Sequence, residues 1–200
     1  MARPRAITDE ALLDAARAVF IRSGPGATTA EIAEAAGVSE ATLFRRYATK
    51  DALFMAAMEL PPEPGWAALA NALAEDPRPL RERLEVLATA LLDFFREIIP
   101  RVMVLRAAGI DLSCHMTQLA EPPPVKGLKA VAHFFHREQR AGRVRPVDPE
   151  IPARLLIGAM HHHAFFEACG LDAHAPLPPA SYVRGAVDVI LRGVEVETAK

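Results

Sequence analysis

Three groups of side chains in this 200-residue chain have the types and spacing to do chemistry. The first is histidine. Six of the seven fall at His115, His133, His136, His161, His162 and His163. His133 and His136 are spaced to share one helix face, whereas three consecutive residues fan out by about 100° per step and cannot all face one ion. No carboxylate or cysteine stands at a familiar ligand spacing beside them, so the expectation is no metal and no cofactor, with imidazoles lining a cavity or an interface. The second group, Ser113-Cys114-His115, pairs nucleophiles with a base, but adjacent residues rarely point at one another and no nucleophile-elbow glycines surround them. No catalysis is expected there. The third group is Thr42 and Arg45, in a stretch that leaves both on an open helix face. Arginine can make a bidentate contact to guanine, and threonine can donate, accept or touch a thymine methyl. That is the chemistry of reading a DNA base edge.

The elements that position this third group span Thr28 to Tyr47. Thr28 and Glu31 have capping-box spacing, which predicts a helix start. Ile32, Ala33 and Ala36 recur on one face, and Gly37 follows, suited to a left-handed turn. Val38 plugs the corner, and Ser39 caps a second helix in which Leu43 and Tyr47 face inward. Ala41, Thr42, Arg45 and Arg46 spread over the other face. Two capped helices joined by a glycine turn make a helix-turn-helix, whose second helix enters the major groove.

The wider stretch, AITDEALLDAARAVFIRSG followed by ATTAEIAEAAGVSEATLFRRYATKDALF, resembles the DNA-binding domain of the TetR family of bacterial transcriptional repressors. The likeness rests on a first helix ending in Phe and Gly, the TT-x-x-I-A-x-x-A-G-V-S run, the T-L-F-x-x-Y run and the K-[DE]-A-L that follows. It covers about the first quarter of the chain. The resemblance implies a homodimer built on the last two helices, an effector pocket in the C-terminal domain, and DNA release when ligand shifts the two heads. It also implies the DNA contacts. Thr42 and Arg45 would reach base edges, with Glu40 and Ala41 beside them. Thr29, Ser39, Arg46 and Lys50 would meet phosphates, and Thr28 and Tyr47 complete the set. Phe44 stands where the family commonly has tyrosine, so no hydroxyl is available there and Arg46 would supply the charge.

Composition agrees with a helical protein. Half the residues are hydrophobic, only 6% are aromatic, and Ala and Leu dominate. The seventeen prolines cluster between helical segments and punctuate them. A net charge of −2 excludes a wholly basic nucleic-acid binder. Residues 1–50 carry seven Lys/Arg against six Asp/Glu, so DNA affinity must come from local placement and from two copies. Two cysteines make no disulfide framework, and neither a signal core nor a membrane-length apolar run appears, so a cytoplasmic protein off the membrane is expected.

In chain order, residues 1–7 form a short basic arm with Arg3 and Arg5, suited to a minor-groove or phosphate contact. A helix is expected over residues 9–22, then the motif, then a helix from Thr49 to about Leu60. Pro61 to Gly65 is the domain boundary, giving a DNA-binding domain over 1–60 and an effector and dimerisation domain over 61–200. Further helices are expected over 66–75, 80–99, 100–108, 124–142, 149–170 and 180–197, with Gly109 to Glu121 irregular. The fold class is all-α in two domains. The aromatic pairs Phe94-Phe95, Phe134-Phe135 and Phe165-Phe166 cannot all point one way, so some line a cavity. The expected pocket takes Phe94, Met103, Phe134, His136, Met160, His163 and Phe166, and a small, mostly uncharged apolar effector. Leu155, Val183, Val187, Ile190 and Val194 are the expected dimer seam. The whole reads as a ligand-released repressor on a palindromic operator, the alternative being a helical small-molecule enzyme or carrier without a DNA role.

Overall fold

The computed structural model describes residues 7–194, and the side chains of Cys114 and His115 lie outside that description. Arg3, Arg5, residues 195–197 of the expected last helix and the Ser113-Cys114-His115 pairing therefore fall outside the described residues. Among those described, every regular element is helical. The chain divides into two compact units, Met1–Leu60 with Pro100–His115, and Pro61–Ile99 with Met116–Lys200.

The first unit opens with α1 (Asp9–Ser23), whose start is fixed by Thr8: its hydroxyl oxygen accepts the Ala11 N–H. Leu12, Ala16, Val19 and Phe20, spaced at three and four, are fully buried. Then come α2 (Thr29–Ala36), α3 (Glu40–Arg46) and α4 (Lys50–Ala57). Helix α1 packs on α2 and α4, and α2 on α3. Their shared core holds Phe20 edge-on to Phe54, with ring centroids 5.0 Å apart, together with Ile32, Leu43 and Leu53. Val104 and Leu105 join this core. The first unit also takes in residues 100–115, which lie beyond the expected cut at residue 60; of their side chains Val104 and Leu105 are buried in its core.

The second unit contains α5 (Gly65–Leu73), α8 (Pro123–Arg140), α9 (Glu150–Ala168) and α10 (Pro179–Val194). One long helix, α6 (Leu80–Ala107), gives its residues up to Ile99 to this unit and the rest to the first. The sequence suggests a break at Pro100, but α6 runs through it. Proline there removes a backbone donor and crowds the preceding turn. Buried Ile99 on one side and Val104 and Leu105 on the other hold the helical register, so tertiary packing overrides the local penalty. Residues expected to be irregular instead include α7 (Leu112–Gln118).

In the second unit α5 packs on α8, α8 on α9 and α9 on α10. The approach of α5 to α8 depends on Gly127, where any Cβ would overlap the Trp66 ring. A buried ion group ties this unit further. Glu138 is fully enclosed and accepts from Arg83 through both oxygens at 2.8 and 2.9 Å, and from Arg143 at 2.6 Å. Burial pushes its carboxyl up, but the Arg143 and Arg83 hydrogen bonds outweigh that and leave it below the usual carboxylate value.

Candidate nucleic-acid interface and effector unit

Residues 28–47 build a capped turn that exposes one face of α3. The Thr28 hydroxyl oxygen accepts the Glu31 N–H, and the Glu31 carboxylate accepts the Thr28 N–H at 2.7 Å, which closes the box. That backbone hydrogen bond is the main reason the Glu31 carboxyl lies below its ordinary value. Gly37 has φ of 65°, a left-handed conformation that costs a side chain about 1–2 kcal/mol, so glycine belongs there. Ser39 caps α3 by accepting the Thr42 N–H, and its hydroxyl lies 3.1 Å from that of Thr42. Leu43 is buried, and Tyr47 packs half-buried against the same core.

The outer face of α3 presents Glu40, Ala41, Phe44 and Arg45, all exposed, with Thr42 half-buried beside them. Arg45 makes no ion pair or hydrogen bond with any described residue. Its guanidinium is a free, planar donor set on a fixed helix. Phe44 is 46% exposed. The Thr29 hydroxyl donates to Glu40 Oε2 at 2.5 Å and links the starts of α2 and α3.

Two members of the expected phosphate set are turned inward. The Arg46 guanidinium donates to the Ile7 carbonyl at 2.6 Å and pairs with Asp9 at 2.9 Å. Lys50 Nζ donates to the Pro25 carbonyl at 3.0 Å. Both bind their own chain, so Arg46 does not stand free to replace a hydroxyl lost at Phe44. Neither partner was legible in the sequence, since they lie 39 and 25 positions away.

The expected effector residues do not come together as one pocket. Phe134 and Met160 are fully buried in the core of the second unit, and Met103 belongs to the first unit and is 42% exposed. His136 lies at the surface, where it lines a shallow depression of about 460 Å³ with His133, Arg137 and Arg140. His163 is buried and stacked on Tyr182, with centroids 4.2 Å apart. Its Nε2 lies 3.6 Å from Glu167, whose carboxyl is held low chiefly by hydrogen bonds from Arg96. Phe94 does belong to an aromatic chain: Trp66 meets Phe94 at 6.0 Å, Phe94 meets Phe95 at 5.5 Å, and Phe95 meets His161 at 5.1 Å. Phe166 packs instead against His162. Trp66 Nε1 is buried without an acceptor. Among the described residues, no group of three or more His, Cys, Asp or Glu is arranged to hold a metal ion.

Of the expected seam, Val183, Val187, Ile190 and Val194 are buried within their own unit and Leu155 is 59% exposed. Leu155, Ile190 and Val194 border an open groove beside them. Ile151, Leu155, Leu177 and Val189 line an apolar groove of about 790 Å³ along α9 and α10, and Val189 is 71% exposed.

Residues 12–57 match the family described as bacterial regulatory proteins, tetR family. The chain carries the DNA-binding domain of the tetR family of transcriptional regulators. The likeness of the whole chain extends further. It is 29% identical over 166 residues to the nucleoid occlusion factor SlmA of Aliivibrio fischeri (strain MJ11), covering 79% of this chain and 83% of that protein. In fold it is similar to the TetR-family regulator PfmR from Thermus thermophilus, with a TM-score of 0.63 and 22% identity over 92% of this chain and 99% of that one. It is also similar to FadR from Bacillus subtilis in complex with stearoyl-CoA, with a TM-score of 0.60 and 11% identity over 94% and 100%. Among the described residues, no helix is long and apolar enough to cross a membrane.

Proposed function

We propose that this tetR-family protein is a ligand-released transcriptional repressor that binds a palindromic operator as a homodimer. The observation that carries the reading is the outer face of α3: an unpaired Arg45 beside Thr42, Ala41 and Glu40, on a helix fixed at both ends by its caps. Thr29 and Ser39 stand at the starts of α2 and α3, where backbone N–H groups face a phosphate, and Thr28 and Tyr47 frame the motif. Phe44 offers apolar contact to a thymine methyl where a hydroxyl would have met a phosphate. The groove along α9 and α10 supports the dimer, because an exposed apolar stripe of this kind is stable when a second copy covers it.

The effector is a mostly uncharged molecule with a hydrogen-bonding group. The second unit offers the Trp66, Phe94, Phe95 and His161 chain and an orphan Trp66 N–H, which a ligand oxygen would satisfy. The FadR of similar fold is in complex with stearoyl-CoA, so a long acyl chain, without the phosphates of the CoA part, heads the candidate class. A gel shift on the protein's own promoter region tests DNA binding, and a thermal-shift screen followed by DNA release on the hits tests the effector. Release by a divalent metal alone, with apolar compounds inert, would move the effector site to the histidines.

The similarity to SlmA favours a second reading, because it covers 79% of the chain and so extends past the DNA-binding domain. On that reading the DNA-bound protein acts in nucleoid occlusion rather than at a promoter. Genome-wide mapping of bound sites separates the two: promoter-proximal sites support repression, and sites spread without regard to promoters support occlusion.

A further inference from the structure

The exposed face of α3 carries a carboxylate that phosphate attraction would not select. Glu40 is the first residue of α3, at the end of the second helix that meets base edges in helix-turn-helix docking. An acid there repels the DNA backbone. An acid in the first turn also suits the helix dipole, but that role requires no fixed orientation. Glu40 has one. Thr29 Oγ1, from the first residue of α2, donates to its Oε2 at 2.5 Å. Its other oxygen, Oε1, has no hydrogen-bond partner among the described residues. Ser39 is engaged elsewhere, capping α3 through Thr42. The result is an oriented acceptor with one open oxygen, exposed beside Ala41 and on the same helix as the free donor Arg45.

Few groups on DNA suit such an acceptor. In the major groove only the amino groups of cytosine and adenine donate. Adenine sets its N6 amino group beside the N7 acceptor, which repels a carboxylate. Cytosine N4 has no acceptor beside it on that base's own major-groove edge. Thymine and guanine edges offer acceptors to an acid and are rejected. We infer that Glu40 is a specificity-determining residue that accepts from the amino group of one cytosine in each half-site, and that Thr29 is a positioning residue that aims it. The inference rests on the DNA-reading role proposed above.

The test is selection of bound duplexes from a randomised pool by the full-length protein and by Glu40→Ala, Glu40→Gln and Thr29→Val, followed by gel shifts on single-base variants. Melting curves confirm that each variant is folded, since Glu40 is exposed. The wild type should enrich a half-site with one C·G pair that Glu40→Ala no longer prefers, a loss of about tenfold in discrimination at that pair alone. Removing the negative charge should raise binding to unrelated DNA. Glu40→Gln should move the preference toward A·T, because an amide matches the adenine N6 and N7 pair. Thr29→Val should weaken discrimination at the same pair and at no other. If Glu40→Ala selects the wild-type site with that cytosine unchanged, or shifts all sequences equally, Glu40 serves the helix alone and the inference falls while the DNA-reading role stands. If the wild type enriches no sequence, the DNA-reading role falls, and the inference with it.

Discussion

Arg45 and Arg46 are neighbours of one type with different surroundings, and burial separates their work. Arg45 is exposed and has no partner among the described residues; Arg46 is bound to Ile7 and Asp9. Arg45→Ala should leave the melting temperature near wild type and cost ~1–3 kcal/mol of discrimination at one base pair of each half-site. Arg46→Ala should instead cost about 1–2 kcal/mol of stability, because it removes charged hydrogen bonds that hold the start of α1. Paired melting curves and gel shifts on both variants check this, and matching effects from the two would refute it. A second residue-scale test concerns Glu138. Its carboxyl titrates below its unfolded value, so its contribution is fully present above the unfolded value and is lost as pH falls through the lowered folded one. Thermal melts from neutral to acid pH should show a steep loss that Glu138→Gln flattens. At neutral pH that variant should lose about 3–5 kcal/mol, because Arg83 is then buried without its counter-charge.

At the scale of helices, the last two carry apolar residues of very different exposure. Val187 is fully buried in its own unit, and Val189 is 71% exposed on the open groove. Val189→Glu should preserve the fold and shift sedimentation toward monomer. Val187→Glu should unfold the second unit, since an unpaired charge cannot be buried there. If Val189→Glu sediments as an unchanged dimer, the groove is not the seam. The helix starts at Thr8, Thr28, Ser39 and Thr49 were legible because capping is local chemistry, decided within three residues. Which apolar stripe stays open was not, because a period of three or four reports that a face is apolar and not what covers it. The same limit hid the aromatic chain proposed for the effector: Trp66, Phe94 and His161 lie on three helices, and only packing joins them. Pro100 misled for a related reason, as the local rule against proline was overruled by buried neighbours on both sides.

For the molecule as a whole, charge is the argument. A chain of net −2 has no general attraction to DNA, so affinity must come from placed groups, which the proposed second copy would multiply. Its binding should fall steeply with salt, with a slope set by the phosphate contacts of two heads, and dilution below the dimer dissociation range should cut affinity far more than a single head predicts. Gel shifts across salt and protein concentration measure both. The most direct test of the central claim, that α3 reads DNA from a two-fold assembly, is a hydroxyl-radical footprint on the protein's own promoter region. The account predicts two protected windows related by a dyad, about one helical turn apart from centre to centre, both lost with Arg45→Ala. No protection, or a single window without symmetry that Arg45→Ala leaves intact, would contradict it.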